Sequence, residues 1–148
     1  MNLILYYLFV YLIEAIILWL YCNRIFTSRK NTFLSLLITI GMFSLLIPVA
    51  ILTNAALNAF CSFIVYLCCI VLNYDSKPVW ALFHALALTI LMALSEGLIA
   101  AAIPDITIYA FRDGNIHSSA FTFVILSKSV YLCISQLVTR IFSKNTVN

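Results

Sequence analysis

The chain has 148 residues, 65% of them hydrophobic and 9% charged, with a mean hydropathy of +1.13. Ordinary globular domains hold roughly 45–50% apolar and about 25% charged residues, so the composition excludes a soluble fold and predicts an all-α, polytopic membrane helix bundle. A single domain of this length is spent almost wholly on spanning segments, with no room for a soluble catalytic domain. The formal charge of +3 comes from Lys and Arg beside helix ends, which speaks for a lipid bilayer with anionic headgroups and against nucleic acid.

The first span is predicted over residues 3–22, LILYYLFVYLIEAIILWLYC. About 20 apolar residues cross a hydrocarbon core of roughly 30 Å. Its one charge is Glu14. A carboxylate near mid-bilayer costs a few kcal/mol where it faces lipid, so it is expected to face other helices or a cavity. Tyr7, Tyr11 and Tyr21 lie on the same stripe and put hydroxyls along it. With no positive n-region and no A-x-A site, this segment reads as a retained helix rather than a signal peptide.

Arg24, Arg29 and Lys30 crowd the following loop, residues 23–32. By the positive-inside rule that loop is cytoplasmic, which puts the N-terminus outside. The second span, residues 33–52, carries Pro48, predicted to kink it one turn before its outer end. A very short turn leads into the third span, residues 55–72, where Asn54 and Asn58 are placed to act as interhelical hydrogen-bonding groups. The polar turn NYDSKP, with Lys77, returns the chain to the cytoplasmic side, and Pro78 suits a helix start.

The fourth span, residues 79–103, holds His84 and Glu96. These stand about 120° apart around the helix and serve different faces. Glu96 shares its face with the small residues Ala85, Thr89, Ala93 and Ala100. Residues 104–118 form the one sizeable loop, predicted extracellular; its Asp105, Arg112, Asp113 and His117 are candidates for contact with something outside the cell. The fifth span, residues 119–142, contains Lys128 and exits through Arg140 and Lys144, so the C-terminus is cytoplasmic. Inward segments hold Arg24, Arg29, Lys30, Lys77, Arg140 and Lys144, and outward ones only Arg112, which supports five transmembrane helices with the N-terminus outside.

All five cysteines fall within predicted spans, where free Cys behaves as a small apolar residue, so no disulfide framework, metal site or cofactor is expected. No phosphate loop, HExxH or nucleotide motif is present, and His84 has no convincing nucleophile at a useful spacing. His84 reads as a helix-interface residue, and Trp19 and Trp80 as interfacial anchors.

Glu14, Glu96 and Lys128 lie about 16, 10 and 13 Å below their predicted outer helix ends, at 1.5 Å per residue. A similar level on three helices predicts one cluster, with Lys128 paired to a glutamate and Tyr7, Tyr11 and Tyr131 supporting it. Three readings stay open at this point: an assembly device that fixes helix pairing, an outward-facing pocket for a ligand, or a proton relay.

Glu14 within an apolar-aromatic first helix, followed by YCNRIFTSRK at 21–30, resembles the opening of the membrane sensor region of quorum-sensing histidine kinases of the GHKL class, the accessory-gene-regulator type of Firmicutes. The final helix, SKSVYLCISQLVTRIF at 127–142, is similar to the fifth span of such regions, and Glu96 in the fourth fits as well. The resemblance implies a multi-pass protein of the cell (plasma) membrane that detects an extracellular signal, a peptide or small molecule, works as a homodimer, and passes the signal to a cytoplasmic kinase of a two-component system. The sequence stops at Asn148, before any phosphoacceptor or ATP-binding region, so the chain is expected to be a sensor domain and not itself an enzyme. The rivals are a substrate-binding membrane subunit of a vitamin-type uptake transporter and a non-catalytic membrane adaptor.

Overall fold

A computed structural model describes residues 3–52, 54–106 and 118–145. Helix α1 runs Leu3–Ile25, α2 Thr32–Ser44, α3 Leu46–Ile51, α4 Ala55–Asn73, α5 Pro78–Ala102 and α6 Ser118–Asn145. With α2 and α3 joined into one broken span, five helices are long and apolar enough to cross a membrane. The molecule is a multi-pass helix bundle. Observed and predicted spans agree to within a residue or two at most ends; α1 runs three residues past the predicted Cys22 and takes Arg24 into its last turn.

The neighbours are α1 with α2, α2 with α4, α4 with α5, α5 with α6, and α6 back on α1, which closes a ring in chain order. The faces divide in the way a lipid solvent demands. Leu82, Leu86, Ile90, Leu94 and Leu98 form an exposed stripe at four-residue steps on α5, while Ala81, His84, Ala85, Leu88, Met92 and Ser95 face inward. Small and polar residues inside let helices approach closely and hydrogen-bond, since lipid gives no hydrophobic drive for helix association. Most buried serine and threonine hydroxyls bond to a carbonyl of their own helix: Thr39 to Ser35, Ser95 to Met92, Ser127 to Val124, Ser135 to Leu132 and Thr139 to Gln136.

The helix breaks have local causes. Pro48 lies inside α3, and the break falls at Leu45, between Ser44 and Leu46. Proline removes the donor to the carbonyl four residues earlier, here that of Ser44, and its ring crowds that carbonyl. The interruption therefore sits a turn before the proline itself. Asn54 caps α4 by accepting from the Leu57 N–H at 3.1 Å, so it serves its own helix and not a neighbour as predicted. Asn58 does reach across, accepting from the Tyr11 hydroxyl at 2.8 Å.

At the end of the bundle where α1 finishes, the two connections expected as plain loops pair as strands. Thr27–Ser28 (β1) and Tyr74–Asp75 (β2) are antiparallel, with Thr27 opposite Asp75 and Ser28 opposite Tyr74. Arg29 adds an N–H to the Asn73 carbonyl at 2.9 Å and an ion pair to Asp75 at 3.1 Å. Beneath this clasp the buried Tyr74 hydroxyl accepts from Ser35 at 3.3 Å and donates to Asn23 Oδ1 at 3.1 Å, and Asn73 donates to Thr39 at 3.3 Å. Burial pushes the Tyr74 hydroxyl up to about 12.

Candidate functional site

Lys128 on α6 stands between two carboxylates. Its Nζ donates to Glu14 Oε1 on α1 and to Glu96 Oε1 on α5, each at 2.5 Å. Three helices are thus tied by one ammonium, and at this level α1 and α5 are linked through α6. The structure brings together the three ionisable residues placed at one level from sequence, and Lys128 takes both glutamates rather than one. Burial is unequal: the side chains of Lys128 and Glu14 are 2% and 3% exposed, that of Glu96 40%. Fully ionised, the cluster carries a formal charge of −1. Charge-assisted hydrogen bonds of this kind are roughly twice as strong as neutral ones.

A cavity of about 270 Å³ adjoins the cluster. α1 contributes Tyr6, Tyr7, Val10, Tyr11 and Glu14 to its wall, α4 Asn58 and Ser62, α5 Met92 and Glu96, and α6 Phe123, Val124, Ser127 and Lys128. All these positions belong to the end of the bundle where α1 begins. The Tyr7 and Tyr11 rings stack with centroids 6.4 Å apart. Two atoms on this wall have no hydrogen-bond partner although buried: Glu14 Oε2 and Ser62 Oγ. A buried polar atom without a partner costs about 1–3 kcal/mol, so the wall offers unmet acceptor capacity beside an excess negative charge.

Of the residues predicted for this site, Glu14, Glu96, Lys128, Tyr7 and Tyr11 line the cavity. Tyr131 does not: it is fully buried in the core, because the inward face of α6 continues past Lys128 toward the centre of the ring. Tyr21, on the Glu14 stripe, bonds elsewhere, its hydroxyl 2.7 Å from His84 Nδ1. Asp105 is exposed and off the cavity wall. Arg112, Asp113 and His117 lie outside the described residues. Tyr6, Ser62, Met92 and Ser127 had no signal in the sequence, since each is marked only by the helix it faces.

A second cavity, of about 370 Å³, lies at the other end, lined by residues that include Phe26, Lys77, Trp80, His84 and Phe142. His84 is ringed by aromatic groups there, with Phe26, Phe142 and Phe83 centroids at 5.1, 5.3 and 5.4 Å. Trp80, read as an interfacial anchor, stacks on the imidazole at 5.9 Å while half-exposed. With its Nδ1 at the Tyr21 hydroxyl, His84 is a helix-interface residue joining α5 to α1. Among the described residues no group of His, Cys, Asp and Glu is arranged to hold a metal ion, and all five cysteines are free.

Fold and site together define a multi-pass membrane protein with a three-helix ion cluster beside a small cavity. Comparison with family models, with curated proteins and with solved structures finds no match.

Proposed function

We propose that this chain is the membrane sensor domain of a two-component histidine kinase, set in the plasma membrane with its N-terminus outside, and that its signal, a peptide or small molecule, enters the cavity beside Glu14, Glu96 and Lys128. The observation that carries this reading is the position of Lys128. It sits on the last helix, bonded to both α1 and α5, and shares the cavity wall with Glu14 and Glu96. A ligand that competes for either carboxylate changes what holds α6 in place, and α6 is the helix that would lead to a cytoplasmic partner. Differential contact of this kind is what a ligand needs in order to shift a conformational equilibrium. The sequence resemblance to sensor regions of the accessory-gene-regulator type supports the same reading, as does the basic exit of the final span.

The test is a fusion of residues 1–148 to a cytoplasmic kinase module, read by reporter output. Glu14→Gln and Lys128→Met are expected to alter output or its response to conditioned medium, measured per inserted protein, without preventing membrane insertion. Wild-type response from both variants would refute the role of the cavity. The adaptor reading makes the opposite forecast, that Glu14, Glu96 and Lys128 can be replaced together by apolar residues without functional cost.

A further inference from the structure

Resting on the reading of the first cavity as a ligand site, we infer that it takes a compact primary ammonium group, seated on Glu14 Oε2 and Ser62 Oγ. Charge and hydrogen-bonding capacity both lead to that chemistry. The cluster holds two carboxylates and one ammonium, so its formal charge is −1, and a cation completes it where an anion would add to the excess. Glu14 spends Oε1 on Lys128, while Oε2 is buried on the same wall with no donor. Ser62, fully buried on α4, lacks the back-bonding that satisfies Ser95 and Ser127 on the neighbouring helices, and its Oγ has no hydrogen-bond partner. An ammonium brings three donors, enough for both atoms.

The remaining wall suits the group's carbon frame. Tyr7 and Tyr11 stack beside Glu14, and aromatic faces attract a desolvated cation. The cavity of about 270 Å³ holds about nine groups of water size, at about 30 Å³ each. That admits a small amine, the amino-terminal residue of a peptide, or an ethanolamine headgroup, which share the same ammonium chemistry.

The experiment uses the purified 148-residue chain in phosphatidylcholine nanodiscs and the probe 2-phenylethylamine, with 2-phenylethanol as its neutral counterpart of equal size. Binding is followed by calorimetry and by the shift in melting temperature. The amine is expected to bind and to stabilise, and the alcohol to bind about tenfold more weakly or less. Glu14→Gln should remove that preference. Should Glu14→Gln fail to fold, Ser62→Ala decides: it removes a hydroxyl with no partner, so the free protein should melt no lower, while affinity for the amine drops about fivefold. Equal binding of amine and alcohol, no binding of the amine at millimolar concentration, or unchanged affinity in Ser62→Ala overturns the inference. Tight binding of the alcohol alone would do so while leaving a ligand-binding sensor intact, since kinase-fusion output reads that role separately. Two further arms identify the source. A loss of amine affinity in phosphatidylethanolamine discs supports the headgroup. Competition by a dipeptide that its N-acetylated form does not reproduce supports a peptide terminus.

Discussion

Replacing Lys128 with methionine removes the ammonium that two carboxylates share at 2.5 Å each, while keeping a long side chain in its place. Glu14, 3% exposed, then has no positive partner, and an uncompensated buried charge costs about 3–5 kcal/mol. The ceiling comes from the escape route of taking up a proton: neutralising an ordinary carboxyl at pH 7 costs about 4 kcal/mol. Lys128→Met is therefore expected to lose about 3–4 kcal/mol. Glu14→Gln leaves the Lys128–Glu96 pair standing and should lose about half as much. Glu14→Gln, Glu96→Gln and Lys128→Met combined carry no ion at all; they forfeit the two contacts that the ammonium made, since methionine donates none, and a hydrogen bond between membrane helices averages about 0.6 kcal/mol. That triple variant should recover to within about 1–2 kcal/mol of the original chain. The assay is reversible unfolding in mixed micelles titrated with sodium dodecyl sulfate, followed by tyrosine and tryptophan signals. A loss below about 1 kcal/mol for Lys128→Met, or a triple variant no more stable than the single one, would refute the view that the cluster is a mutually dependent unit.

The clasp gives a second prediction. Tyr74→Phe loses hydrogen bonds to Ser35 and Asn23 and should cost about 1–2 kcal/mol, whereas Asp75→Asn breaks an ion pair exposed on both sides and should cost less than about 0.5 kcal/mol. Because burial holds the folded-state Tyr74 hydroxyl at about 12, against about 10 unfolded, its contribution is complete below pH 10 and disappears as pH rises toward 12; Tyr74→Phe should flatten that part of a stability–pH profile. A third prediction concerns the broken span: Pro48→Ala restores the donor to the Ser44 carbonyl and should join α2 to α3, seen as slower amide exchange at residues 45–47.

How much of this was legible beforehand follows from what each feature depends on. The spans were, because about 20 apolar residues between polar turns have one solution in lipid. The shared level of Glu14, Glu96 and Lys128 was legible too, since depth along a helix is a matter of counting. Rotation about each helix was harder. Tyr131 follows Lys128 on its face and enters the core instead of the cavity, and Tyr21 meets His84 although it shares the Glu14 stripe. Those outcomes depend on which neighbour each face meets, and single-helix periodicity carries no such information. Tyr6 and Ser62 were invisible for the same reason. The paired strands were hidden because two residues on each side hold no alternating pattern; only the approach of two connections brings them into register.

That strand pair has a mechanical consequence. It fastens the α1–α2 connection to the α4–α5 connection at the end of the bundle remote from the cavity. A ring of rods pinned at one rim responds to a wedge at the other by pivoting, so a small spread near Glu14 becomes a tilt about the pinned rim rather than a uniform expansion. Helix α6 supplies neither strand of the pin. At that rim it is held by side-chain packing, Phe142 against Phe83 and His84, and toward the other end the Glu14–Lys128–Glu96 bridge fastens it.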